Sequence, residues 1–198
     1  MIGARSTAKR FLLLAVIVVA LAAYAIWRAE TLRLTAAAWN PSFAELKLTD
    51  FNGRQRSLAD FRGQVVVLFF GFTRCPDACP TEFFKLSQVM KRLGPLADRV
   101  QVLFVTLDPE RDTQQILKSY VTAFDPRFLG LTGTTRQIYA VTRSFDVMHV
   151  KLPIGTDYTI DHSIGTHFID ARQRHRFVGS PNMSVSDVVH DLKLLLRE

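Results

Sequence analysis

Cysteine is nearly absent from this chain. Among 198 residues there are two, Cys75 and Cys79, four positions apart. Without a third cysteine the chain has no thiolate set for a structural zinc site, which takes four protein ligands. Charge of one sign is not concentrated either. The net charge is +7, but five basic residues (Arg5, Lys9, Arg10, Arg28, Arg33) against one acid, Glu30, fall within residues 1–33. The other 20 basic and 17 acidic residues leave +3, with no basic helix and no long single-sign run. That distribution describes a solvated surface and argues against a nucleic-acid partner. Internal repeats and low-complexity segments are missing too, and the length fits one domain plus a small addition. A hydrophobic content of 48% is enough for a sizeable core.

Long apolar runs are limited to one. Phe11 to Trp27 is an uncharged stretch of 17 residues, at the short edge of what spans a bilayer. Arg5, Lys9 and Arg10 precede it, and Tyr24 and Trp27 stand at its far end as interface aromatics. The excess of positive charge on the N-terminal side predicts a cytoplasmic N-terminus, residues 1–10, and an exported remainder. A cleaved signal peptide is the rival reading, since Ala23-Tyr24-Ala25 is a passable small-x-small site. The apolar run continues through Ile26 and Trp27, which favours an anchor over 11–27. With so few residues ahead of it, a bacterial inner membrane with a periplasmic domain fits better than a mitochondrial targeting segment. Residues 28–42 read as a linker, Ala-rich and ending near Asn40-Pro41, and the domain proper as 43–198.

The two cysteines lie in Gly71-Phe72-Thr73-Arg74-Cys75-Pro76-Asp77-Ala78-Cys79-Pro80. An apolar run, Val65 to Phe70, leads in, and a helical pattern from Pro80 to Leu93 leads out. The pair therefore sits at a strand-to-helix turn, at the positive end of a helix, where a thiolate is favoured. Outside the cytoplasm such a pair is oxidised unless something reduces it or a metal holds it. A purely stapling disulfide is a poor use of it, because so short a loop removes little unfolded-state entropy.

The rest of the pattern builds the frame. Asn52-Gly53 marks a hairpin between Leu46–Leu48 and Ser57-Leu58. Val65–Phe70 is apolar throughout, as a strand buried on both faces is, and Val100–Leu107 is mostly apolar and reads as the next strand. Asp112 with Gln115, and Thr134 with Gln137, read as capping boxes. Phe128–Leu131 and Val147–Leu152 read as strands, and Asp157–Ser163 as polar and irregular. His167–Asp170 and Arg176–Val178 read as a closing hairpin, with His175 in the basic turn between them. Val185, Val188, Val189, Leu192, Leu195 and Leu196 stripe a last amphipathic helix. Strand-helix-strand units imply parallel pairing with right-handed crossovers. The expected fold is α/β, a thioredoxin-like mixed sheet flanked by helices, with one N-terminal transmembrane helix.

A thioredoxin centre reads Cys-x-x-Cys. Here three residues intervene, and the extra one turns the second sulfur by about 100° around a helix, leaving space for an ion. Two thiolates are soft ligands, and softness favours Cu(I). A third ligand would come from histidine or a thioether. His190 falls on the exposed side of the last helix, His175 in a turn, and His149 and His167 in strands where a packed ring is the ordinary outcome. His162 differs by lying in the irregular segment before a strand, but spacing alone does not decide for it.

The cysteine segment resembles the signature of the Sco/SenC family, which assembles cytochrome c oxidase. Asp157-Tyr158-Thr159-Ile160-Asp161-His162-Ser163 is similar to that family's histidine segment. Val102 to Thr113 and Phe128 to Gly133 match its pattern as well. The resemblance implies that Cys75, Cys79 and His162 are copper ligands, for Cu(I) and also for Cu(II). It implies a membrane-anchored metallochaperone whose partner is the copper-bearing subunit of the oxidase, supplied by a periplasmic copper donor or thiol reductant. Two positions depart from the common form. Arg74 stands where histidine is frequent and puts a cation beside Cys75, and His167 stands where an aromatic or aliphatic residue is usual. Asp77 and Asp161 read as turn or supporting residues. Two other chemistries remain open on the residues alone. One is a metal-free exported thiol-disulfide oxidoreductase; the other is a peroxidase that uses one cysteine.

Overall fold

The computed structural model describes residues 15–25 and 46–198. Two units divide the chain, Met1–Ala37 and Ala38–Glu198. In the first, residues 15–25 form a helix, α1, with every side chain exposed. The expected span 11–27 runs past the described residues at both ends, and the expected segments 1–10 and 28–42 lie outside them. Among the described residues no helix is long and apolar enough to cross a membrane.

The second unit is built on a seven-stranded sheet of order β2-β1-β5-β4-β3-β8-β9. Its centre is three parallel strands: β3 (Val65–Gly71), β4 (Val100–Thr106) and β5 (Leu129–Thr132). Every residue of β3 is buried, which explains its uninterrupted apolar run. On one side β1 (Leu48–Asp50) pairs antiparallel with β5 and with β2 (Gln55–Arg56). On the other, β8 (Thr166–Ile169) and β9 (His175–Gly179) add an antiparallel hairpin against β3. The expected mixed sheet and thioredoxin-like order are both present.

Alternation along β3 divides its side chains between two cores. Val66, Leu68 and Phe70 pack with Ile138 and Val141 of α4 (Thr135–Ser144) and with Phe145. Phe69 faces the other way, toward Phe83 of α2 (Ala78–Leu93), with ring centroids 4.7 Å apart. Phe83 also meets Phe104, Phe124, Phe128 and Tyr120, the last from α3 (Gln114–Thr122). Burying one such ring contributes about 1.5–3 kcal/mol. The last helix, α5 (Val185–Leu195), lies beside α2, where Arg92 Nη1 donates to Ser186 Oγ at 3.1 Å.

Several local expectations shift. The first hairpin is not a two-residue turn: Asp50 Oδ1 accepts from the amides of Asn52 and Arg54, and the chain turns over the whole segment between β1 and β2. Gly53 takes φ +82° there, a conformation glycine adopts without steric cost. Thr134 and Gln137 do form a capping box on α4. Asp112 does not cap α3. Thr113 does, accepting from the Ile116 amide, and Asp112 is drawn elsewhere. Asp157–Ser163 is not irregular. Asp157–His162 is a strand, β7, paired antiparallel with β6 (His149–Ile154) in a separate two-stranded ribbon. His175 lies in β9, buried, not in the turn before it.

Candidate metal and redox site

The helix after the cysteines begins at Ala78, two residues before Pro80, so Cys79 lies in its first turn. Proline is tolerated there because a first-turn amide has no intrahelical partner. Asp77 occupies the N-cap position, yet its carboxylate makes no capping bond. The Cys79 amide instead donates to Cys75 Sγ at 3.4 Å. The first sulfur thus takes the place of a capping oxygen on the open amides of α2.

Both cysteines are free thiols; Cys75 is half-buried and Cys79 buried. The acidity of Cys75 is strengthened to about 4, first by the hydrogen bond from the Cys79 thiol. Burial opposes this, and a hydrogen bond with His162 and the amides of Cys79 and Asp77 reinforce it. Cys79 moves the opposite way, raised by its bond to Cys75 and by burial. At neutral pH the pair is one thiolate, on Cys75, and one thiol, on Cys79.

Phe72 and Gly71 set the floor. A Cβ on Gly71 would collide with Cys79 Sγ and lie 3.0 Å from Phe104 Cε2, so the second sulfur fits only because position 71 is glycine. The ring of Phe72 meets that of His162 edge-on, with centroids 6.2 Å apart.

His162 comes to the cysteines from β7. Its Nδ1 lies 2.9 Å from the Ser163 carbonyl oxygen. A ring nitrogen facing a carbonyl carries the proton, which leaves Nε2 as the nitrogen free to act as a ligand. Burial depresses the basicity of His162, but the bonds to Cys75 and to the Ser163 carbonyl outweigh it and raise the pKa. His162 and Cys79 also line one crevice of about 20 Å³, roughly the room of one small ion or water. Among the described residues no group of three His, Cys, Asp or Glu side chains is arranged so that it could hold a metal ion. What the structure brings together is Cys75 in contact with both Cys79 and His162.

The ribbon that carries His162 is tied down by residues of the segment between β4 and α3. The Arg111 guanidinium stacks on Tyr158 at 3.6 Å, donates to Asp157 Oδ1 at 2.8 Å and the Tyr158 carbonyl at 2.9 Å, and pairs with Asp108. Tyr158 Oη donates to Asp108 Oδ1 at 2.8 Å. Asp112, buried, accepts from the Thr73 amide at 3.0 Å and from Thr106 Oγ1 at 2.6 Å. It thereby fixes the cysteine turn to the end of β4. Burial raises its pKa against those hydrogen bonds. The signal for both devices was the density of charge in Asp108–Asp112 directly after a buried strand.

Arg74, the cation expected beside Cys75, has a carboxylate partner of its own. It reaches Asp157 Oδ2 at 3.3 Å, in an exposed pair, and such pairs contribute little. Asp77 accepts from Thr81 Oγ1 at 3.3 Å, and Asp161 is exposed on β7. His149 is half-buried opposite His162, His190 is exposed, and His167 and His175 are buried against each other.

The acid split has a direct consequence. In the reduced, metal-free protein, alkylation of Cys75 by iodoacetamide is expected to keep its rate from pH 8 down to about 5, where a thiol near its ordinary value slows about tenfold per unit. Cys79 is expected to stay unmodified. Mass spectrometry of quenched samples reads both, and a rate at Cys75 that falls steadily below pH 8 would contradict the assignment.

A parallel-centred sheet with a cysteine pair at the β3–α2 turn, and a histidine brought to it by a separate ribbon, defines a thioredoxin-like protein whose dithiol has a third donor beside it. Residues 36–197 match the model of the SCO1/SenC family, and the chain belongs to that family. The chain is 47% identical over 146 residues to a mitochondrial SCO2 homolog of Bos taurus, covering 72% of this chain and 53% of that protein. The human SCO2 homolog is 43% identical over 147 residues, covering 72% and 54%. The chain thus spans about half the length of these curated relatives. Among solved structures, ScoI of Bradyrhizobium japonicum with copper bound has a TM-score of 0.72 and 36% identity. That match covers 76% of this chain and 97% of the other. Yeast Sco1 with copper bound has a TM-score of 0.70 and 29% identity, covering 77% and 87%.

Proposed function

We propose that this protein carries copper through Cys75, Cys79 and His162 and delivers it to the copper-bearing subunit of cytochrome c oxidase. The observation that carries the reading is the contact of Cys75 with both Cys79 and His162 at the start of α2. Two sulfurs and an imidazole are a soft donor set suited to Cu(I), with Cu(II) as a second state. The identity to copper-bound relatives supports the same choice. Copper is the cargo here. Cys75 offers a thiolate, Cys79 gives up its proton on binding, and His162 offers Nε2 while Ser163 holds the ring. The apolar stretch 11–27 is the proposed anchor in a bacterial inner membrane, with 43–198 in the periplasm near the recipient.

The test is Cu(I) competition with bicinchoninate on the reduced full chain. Wild type is expected to hold one tight equivalent per chain. His162→Ala is expected to weaken it by more than the roughly 10- to 100-fold that losing a partner outside the donor set costs, and to lower oxidase assembly in cells. Unchanged affinity in His162→Ala would remove histidine from the site.

A second reading is favoured by the acidity split itself: thiol-disulfide exchange without metal. Cys75 thiolate attacks a partner disulfide, forming a mixed disulfide and expelling one partner thiolate, which takes up a proton. Cys79 then loses its proton and attacks Cys75 Sγ, closing the Cys75–Cys79 disulfide and releasing the second partner thiolate. In that case His162→Ala leaves exchange largely intact.

A further inference from the structure

We propose that Met148 and His149, at the start of the β6–β7 ribbon, form a second and weaker Cu(I) site beside His162. The proposal begins with an odd methionine. Met148 is 77% exposed, whereas Met90 is buried in the core, and the sulfur of Met183 packs against Gly179. A large apolar side chain in solvent contributes nothing to packing there, but its thioether is a soft donor open to an incoming ion.

Met148 is exposed without being loose. Its amide donates to Ser163 Oγ at 3.1 Å, and the Ser163 amide donates to its carbonyl at 2.9 Å. The position is therefore pinned to the residue that follows His162. His149 comes next in sequence and is the cross-strand partner of His162 in the β6–β7 register, a spacing of about 5 Å between such neighbours. Met148, His149, Asp161 and His162 line one cavity of about 710 Å³, together with Tyr139 and Arg143 of α4. A thioether and an imidazole thus line the same cavity as the histidine proposed for the cysteine site.

The donor set decides the ligand. A thioether is a poor ligand for Mg²⁺ or Ca²⁺, while thioether and imidazole together suit Cu(I). With two neutral donors and no thiolate, the site is weaker than the cysteine site. Its place next to His162 suits a handover, in which copper met by Met148 and His149 moves to Cys75 and Cys79 across one shared imidazole. That role rests on the copper reading above; binding at Met148 and His149 does not.

The experiment titrates the full chain with Cu(I) against bicinchoninate, in wild type and in Cys75→Ser/Cys79→Ser. Wild type is expected to show a tight and a weak equivalent, and the double variant to keep only the weak one. Adding Met148→Leu or His149→Gln to the double variant is expected to abolish it. Methyl-labelled methionine gives an independent readout: Ag(I) added to the double variant is expected to shift the Met148 resonance and leave Met90 unmoved. A double variant that binds no Cu(I), or binds it equally well with both further substitutions, overturns the proposal. A weak equivalent without a tight one would instead overturn the cysteine-histidine reading and leave this site standing.

Discussion

Replacing Gly71 by alanine is expected to abolish tight copper binding and slow disulfide closure, while leaving a folded domain. Gly71 is the last residue of β3, and its missing side chain is where the sulfur of Cys79 lies. The backbone there is outside the left-handed region, so alanine brings no strain of conformation. The effect is steric and has two neighbours to act on. Phe104 is fully buried and held between Phe69 and Phe83, with centroids 5.1 and 5.2 Å away. It has no room to retreat. Cys79 has one side-chain torsion and yields by rotating, which carries its sulfur away from Cys75. Overpacking of this kind costs about 1–3 kcal/mol, within what a domain of this size tolerates. Losing one of the two sulfurs from the donor set costs affinity at tenfold per 1.4 kcal/mol, and a drop of at least about 100-fold is expected. Circular dichroism on heating reads the first quantity and Cu(I) competition the second. Wild-type affinity in a folded Gly71→Ala chain would show that the position of Cys79 against β3 does not set the site.

Gly71 also shows what the sequence exposes and what it hides. The buried strands announced themselves, because β3 is covered on both faces and carries no polar residue, and β4 is buried at all but Gln101. The cysteine turn announced itself by its isolation, and the thioredoxin-like order by the alternation of strand and helix. The partners of polar side chains did not. Asp112 looks like a helix cap in the sequence, since Gln115 follows at the right spacing. In the fold Thr73, 39 positions earlier, and the end of β4 compete for its carboxylate and win. The sequence puts His162 in an irregular segment because Asp157, Thr159 and Asp161 break any apolar run. Those residues form one strand of an isolated ribbon, where only Ile160 is buried and period-two patterning is weak. The clamp of Arg111, Tyr158 and Asp108 joins residues about 50 positions apart. No local pattern encodes such a contact, yet it sets how the His162 strand meets the cysteines.

Acid is expected to destabilise this protein before most of its carboxylates titrate, and His167→Phe is expected to remove the share of that sensitivity that the buried His167 carries. His167 is buried on β8 with Nδ1 3.1 Å from His175 Nε2. Two imidazoles at that distance share one proton between them, so at least one ring stays neutral in the fold. Burial, with the neighbouring His175 ring, depresses the His167 pKa from 6.5 to about 3; burial lowers His175 as well. A depressed folded pKa contributes stability that is complete above the unfolded value and is lost as pH falls toward the folded one. For His167 the window runs from about 6.5 down to about 3. The slope is about 1.4 kcal/mol per unit, so pH 4.5 costs about 3 kcal/mol relative to pH 7.5. The lowered carboxylates, Asp50 and Asp170 among them, act only below their unfolded value of 3.8. Cys75 loses stabilisation over an overlapping range and His162, whose pKa is raised, acts in the opposite sense; both remain in the variant and cancel in the comparison. Phenylalanine is suited to position 167 because the rings of Phe70 and Phe145 already meet it edge-on, at 5.7 and 5.2 Å. Urea unfolding at pH 7.5, 5.5 and 4.5 decides the point. The variant is expected to lose less stability than wild type at each step down, and two parallel curves would mean that the buried histidine pair does not govern the acid response.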